Sequence, residues 1–195
     1  MSAALRRVVR WVVVLNLLYF FVELAVARRI GSVALFADSI DFLEDASVNL
    51  LIVLALGWSA KRRGAVGILL AGILLVPGIA TVWTAWDKLL QPLVPAPVPM
   101  SLTGLGALAV NLTCALLLAR VRHVGGSLSR AAFLSARNDV LANVAIIAVG
   151  GVTLFWISAW PDLVVGLAIL LMNLDAARDV HTAARRERRA RITRP

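Results

Sequence analysis

Several residue types are nearly missing from this chain, and each shortage excludes something. There is one cysteine in 195 residues, Cys114, and it sits in an apolar run. An intramolecular disulfide and a thiolate metal cluster are therefore both excluded. The two histidines, His123 and His181, fall outside the apolar runs, and no HExxH motif is present. Charged residues make up only 16% of the chain while 61% is apolar, against about 45–50% apolar and 25% charged in a soluble domain. An ordinary cytosolic globule is thereby excluded.

What is there is a succession of apolar runs, at about 11–27, 32–58, 65–90, 101–119, 131–157 and 161–177. Each is long enough for a hydrocarbon core of about 30 Å at about 1.5 Å per residue. The fold class expected is an all-α membrane protein of six transmembrane helices. The first run lacks a small-x-small cleavage site and continues through Glu23 to Arg28 and Arg29, so it is not read as a signal peptide.

Lys and Arg outnumber Asp and Glu by 20 to 11, and their placement sets the orientation. Arg6, Arg7 and Arg10, then Lys61, Arg62 and Arg63, then Arg120, Arg122 and Arg130, and finally seven arginines from Arg178 to Arg194 all fall on one face. The other face receives Arg28, Arg29 and Lys88. Both termini are predicted cytoplasmic, in a bacterial inner or plasma membrane. The six tryptophans, Trp11, Trp58, Trp83, Trp86, Trp156 and Trp160, lie near span ends as an interfacial belt. The basic tail is assigned to the anionic inner leaflet rather than to nucleic acid. The proline-rich stretch 91–99 is expected to be a stiff extended linker between two halves, and Pro77 to kink span three.

Those halves resemble each other. Asn16 matches Asn111, Gly31-Ser32 matches Gly126-Ser127, Asp45 matches Asp139 and Asn49 matches Asn143, at offsets of 94 to 95. Three crossings separate the matched spans 1–2 and 4–5, so they run in opposite directions, the inverted repeat of secondary transporters. The alternative is chance matching between apolar helices of low diversity.

Inside span two stand four acids, Asp38, Asp41, Glu44 and Asp45. Each ionised carboxylate near a bilayer centre costs about 2.5–3.5 kcal/mol even on the lowest scale, so their presence points to function. At about 100° per residue, Asp38, Asp41, Asp45 and Asn49 share one stripe about 80° wide, whereas Glu44 faces elsewhere. Ser135, Asp139 and Asn143, at i, i+4 and i+8, share a face of span five. If the matched helices cross there, Asp41, Asp45, Asp139 and Ser135 form an oxygen-only cation site. Arg137 points about 160° away from Asp139 and is a poor counter-ion. Two readings stand for Asn16, Tyr19 and Glu23: lining a pathway, or bonding neighbouring helices. Asn111 is expected to hydrogen-bond an adjacent helix. Asp162, following Pro161, is read as the N-cap of span six, and Asp175 with Arg178 as an i, i+3 pair.

The stretch from Glu23 through Gly31-Ser-Val-Ala-Leu-Phe-Ala-Asp-Ser-Ile-Asp41-Phe-Leu-Glu-Asp45 resembles the second-helix signature of the cation diffusion facilitator family. Asn138-Asp139-Val-Leu-Ala-Asn143 resembles its fifth-helix motif, and Trp160-Pro-Asp-Leu-Val-Val-Gly166 its sixth-helix opening. The resemblance implies a core of spans one, two, four and five, with spans three and six to one side. It implies a transporter rather than an enzyme, usually homodimeric, that exports a divalent transition metal against protons without a cofactor. Its transport site would be Asp41, Asp45, Ser135 and Asp139. Apart from the resemblance, the residues themselves make Asp38, Asn49, Asn143 and Glu23 candidates for an additional site or the pathway. Residues 1–180 would be the transport domain and 181–195 a short basic tail, too short for the cytoplasmic metal-sensing domain of most relatives. Zinc-transporting relatives carry histidine where Ser135 stands, and its loss leans the site toward Mn²⁺, Fe²⁺ or Co²⁺, with Zn²⁺ still open. The rival classes are a membrane metalloenzyme and a non-transporting assembly subunit.

Overall fold

The computed structural model describes residues 3–54, 79–120 and 126–172, with side chains at 6–50, 79–120 and 139–172. The described residues are helical, with no strand among them. Helix α1 runs Ala3–Ile30, α2 Val33–Leu54, α4 Pro97–Ala119 and α5 Gly126–Phe155. Between them the described part of α3 covers 79–90, and α6 covers Trp160–Met172. Each coincides with one of the six predicted runs. Two of them, at Arg6–Ile30 and Pro97–Ala119, are long and apolar enough to cross a membrane by length and composition. The acids of α2 keep it from the same test, although its length would suffice.

Helix α1 packs against α2 and α4, and α5 against α4 and α2, which closes a four-helix ring. The main apolar cluster joins Ala27 of α1, Leu35, Phe36 and Ile40 of α2, Met100 of α4 and Ile146 and Val149 of α5. A smaller one at the opposite end joins Val12 to Cys114 and Leu118. Helices α3 and α6 attach beside the start of α2, where Val33, Ala85 and Leu163 meet. Outward faces are apolar instead: Leu18, Phe21, Leu102, Leu116, Leu141 and Leu171 are all exposed. So are Trp11, Trp83, Trp86, Trp156 and Trp160; Trp58 lies outside the described residues.

Among the described residues, the turn from α1 to α2 is the most densely bonded corner. Gly31 has φ 65°, a left-handed conformation that only glycine adopts freely. It lets the Ser32 N–H donate to Ala27 O at 3.0 Å, the six-to-one bond of a Schellman ending. Ser32 then caps α2, its Oγ accepting from the Leu35 N–H at 3.1 Å.

Asp162 completes that corner from 130 residues away. Its Oδ2 accepts from the Val33 N–H at 2.8 Å, and its Oδ1 from the Ala34 N–H at 3.2 Å and the Ser32 hydroxyl at 2.6 Å. Lys88 of α3 donates to Asp162 Oδ2 at 2.5 Å and to Gly31 O at 2.7 Å. Asp162 therefore caps α2, and the expectation that it caps its own helix is corrected. A carboxylate gains more at the positive end of α2, facing three donors and a buried ammonium, than at the start of α6. Gly166, one turn further along α6, makes the approach feasible. A Cβ there would come within 2.8 Å of the Ala34 backbone N.

The proline stretch is also corrected in part. Residues 92–96 have no regular structure, but Pro97 and Pro99 belong to the first turn of α4, where a missing N–H costs nothing. Pro77, the basic loop at 61–63, His123, Arg137 and the tail with Asp175, Arg178 and His181 lie outside the described side chains.

Removing one partner of a buried ion pair costs about 3–5 kcal/mol. Asp162→Asn and Lys88→Met are each expected to lower the unfolding midpoint in detergent, followed by tryptophan fluorescence. The double variant should lose less than the two single losses added together. Strictly additive losses would show that the two residues act independently.

Candidate functional site

The polar residues of α1, α2, α4 and α5 face the interior of the ring. Asn16, Glu23, Asp38, Asn49, Asn111 and Asn143 are all buried. Burying so many polar groups between apolar helices is costly unless each finds a partner. The hydrogen bonds that follow show how far this is met.

Asn143 is the hub. Its Nδ2 donates to Asp38 Oδ2 at 2.5 Å, and its Oδ1 accepts from Asn111 Nδ2 at 2.9 Å. One side chain of α5 thus links α4 to α2 across the ring, and Asn111 bonds a neighbouring helix as expected. Asn49 turns back on its own helix, its Nδ2 donating to Asp45 O at 2.8 Å, and its Oδ1 has no donor. Asn16 Oδ1 receives the Cys114 thiol at 3.8 Å, while its Nδ2 finds no acceptor. The Tyr19 hydroxyl donates to Thr103 O at 2.6 Å, which joins α1 to α4, and its ring packs on Phe42 with centroids 5.1 Å apart.

The predicted acids fall in two neighbouring groups. Asp45 and Asp139 interact side chain to side chain across α2 and α5, and Asp41 is within electrostatic reach of both Asp139 and Asp38. Asp38 instead pairs with Glu23 of α1, on the side nearer the α1–α2 corner. Among the described residues no three of His, Cys, Asp and Glu gather closely enough to hold a metal together. Asp41, Asp45 and Asp139 lie near one another, with Asp38 and Glu23 beside them. The stripe is the reason. Its ends address different neighbours, Asp38 toward Asn143 and Glu23, Asp45 toward Asp139, with Asp41 between them. The side chain of Ser135, the fourth expected ligand, lies outside the described residues. Glu44 is also near these acids, although the helical wheel turns it aside.

Reading the sequence missed the roles of Lys88 and of Asp162 outside its own helix. Gly31-Ser32 and Pro161-Asp162 are both visible as helix boundaries. No local pattern connects them, because their contact is made across 130 positions.

A model of a known family, the cation efflux transmembrane domain, matches residues 9–186. No curated protein matches the chain.

Asn143→Ala would deprive both Asp38 and Asn111 of a partner, at about 1–3 kcal/mol for each buried group left unsatisfied. Asn111→Ala leaves Asp38 served. Thermal unfolding should therefore rank Asn143→Ala below Asn111→Ala, and the reverse order would remove Asn143 from its place as the hub.

Proposed function

Because the chain belongs to the cation efflux family, and so is an integral membrane protein that transports metal cations and not an enzyme, we propose that it exports a divalent transition metal in exchange for protons. The metal passes through a carboxylate site between α2 and α5. One observation carries the reading: the cation efflux match covers residues 9–186, and within it the acids Asp41 and Asp45 of α2 and Asp139 of α5 stand on helices that pack against each other. Acids held this close in an apolar interior repel, and positive charge relieves them. Asp41, Asp45, Ser135 and Asp139 are the ligands we assign.

Protons and a divalent cation compete for the same carboxylate oxygens, so metal entering from one face displaces protons taken from the other. The inverted pairs α1–α2 and α4–α5 supply the alternating opening. We place six crossings in the bilayer with both termini cytoplasmic, from the one-sided distribution of Lys and Arg. That orientation fits a bacterial inner membrane and puts the α1–α2 corner outside. Residues 1–180 form the transport unit, 181–195 a basic tail on the inner leaflet, and the working form is a homodimer. Neither the metalloenzyme nor the passive assembly subunit agrees with a transporter family.

The donor set is oxygen only, three carboxylates and a hydroxyl, and suits Mn²⁺, Fe²⁺ or Co²⁺ better than a site with imidazole would, with Zn²⁺ still bound by carboxylates. In proteoliposomes carrying a pH-sensitive dye, Asp45→Ala or Asp139→Ala should abolish metal-driven proton flux. Undiminished flux in both would remove the site from α2 and α5. Ser135→His, expressed in an exporter-deficient host, should shift tolerance toward zinc relative to manganese and cobalt. An unchanged tolerance profile would count against the assignment of Ser135 as a ligand.

A further inference from the structure

The carboxylates that α1 and α2 bury together are a separate feature from the acids shared by α2 and α5. Glu23 and Asp38 are both 0% exposed. Asn143 holds Asp38 by Oδ2 and leaves its Oδ1 with no donor, and neither oxygen of Glu23 has one. Three carboxylate oxygens, from two helices that bring their acids together, are thus sealed from water with no protein donor. Groups that might have served them are engaged elsewhere. The Tyr19 hydroxyl, on the same face of α1 as Glu23, donates to Thr103 O, and Lys88 is held by Asp162 and Gly31.

Position adds to this. Glu23 stands eight residues before Gly31, about 12 Å along α1, and Asp38 about 10 Å along α2 from Asp45. The pair therefore lies between the acids of α2–α5 and the α1–α2 corner, inside the ring. A proton shared between the two side chains satisfies one oxygen on each and leaves a Glu23 oxygen still unmatched. A divalent cation answers all three oxygens and neutralises both charges. The carboxylate oxygens and nearby amides suit a hard cation.

We propose that Glu23 and Asp38 form a second divalent-cation site, with both oxygens of Glu23 and Oδ1 of Asp38 as ligands, occupied by the cation on its way between the α2–α5 acids and the α1–α2 corner. Asn143 is the positioning residue, because its amide fixes the free oxygen of Asp38 toward Glu23. The inference rests on the reading of the chain as a metal transporter, but not on which residues form the first site.

The test is the number of Mn²⁺ ions bound per full-length chain in detergent, from equilibrium dialysis with metal analysis and from loss of the free-ion EPR signal. Wild type should bind two. Glu23→Gln/Asp38→Asn should bind one, Asp45→Asn/Asp139→Asn should also bind one, and the fourfold variant none. Wild-type stoichiometry in Glu23→Gln/Asp38→Asn overturns the second site, and so does that stoichiometry accompanied by altered pH dependence of proton flux, which would make the pair a proton carrier. Should that variant fail to elute as a single species, Asp45→Asn/Asp139→Asn decides alone. One ion retained supports the site and none overturns it. If instead Asp45→Asn/Asp139→Asn binds two while Glu23→Gln/Asp38→Asn binds one, the second site stands and the α2–α5 assignment fails.

Discussion

A carboxylate enclosed by apolar helices must be neutralised, and this constraint organises the molecule. Its two solutions sit side by side. Asp162 is matched completely, by an ammonium, a hydroxyl and two backbone N–H groups at the positive end of α2. Glu23 and Asp38 are equally buried and retain three oxygens with no protein donor. The first kind of acid fixes helices in place. The second is left without such a match. Burial alone does not separate the two kinds of acid, whereas the count of satisfied oxygens does.

The fixed corner gives the exchangeable acids their geometry. Gly31, Ser32, Asp162 and Lys88 tie the end of α1, the start of α2, α3 and α6 into one junction. With the start of α2 pinned, the positions of Asp38 and Asp41 along the ring are set by helix rise alone. Asn143 then links this half to the other through Asp38, while Asn111 holds Asn143 within its own half. The residues matched between the halves in sequence make different contacts. Asn143 reaches across to Asp38, whereas its counterpart Asn49 returns to the backbone of its own helix. Sequence explains the difference, since the positions matching Asp38 in the second half are Ala132 and Phe133, which offer no acceptor.

Much of this was legible in the residues themselves. Apolar runs located the helices, because hydrocarbon thickness and helix rise leave little choice of length. The four acids of α2 drew notice because they contradict their surroundings, and period alone set Asp38, Asp41 and Asp45 on one face. Period could not say which neighbour each end of that face would meet, since this depends on how helices cross. Asp38 therefore turned to Glu23 and Asn143 while Asp45 met Asp139. Asp162 is the sharper case. A local rule, an acid just after proline at a helix start, gave a sufficient reading, and a contact with α2 displaced it because that helix end offers more donors and a buried cation. Pro97 and Pro99 show the same limit on a small scale: proline spacing suggests an extended linker, but proline is equally at home in a helix's first turn.

Incomplete satisfaction is also what transport requires. An acid whose every oxygen is matched, like Asp162, can accept a cation only by breaking several hydrogen bonds in a low-dielectric interior, where each is strong. A carboxylate with open oxygens exchanges its cation without dismantling the protein around it. Metal affinity in such a site is set by charge and donor count, and release by whatever competes for the same oxygens. On the proposed reading, two acidic groups in succession, Asp41–Asp45–Asp139 and Glu23–Asp38, would divide the electrostatic descent into steps, and a cation on one would raise the energy of a cation on the next. Mutual repulsion of that kind lets a chain bind a divalent ion firmly enough to select it and still release it on the far side.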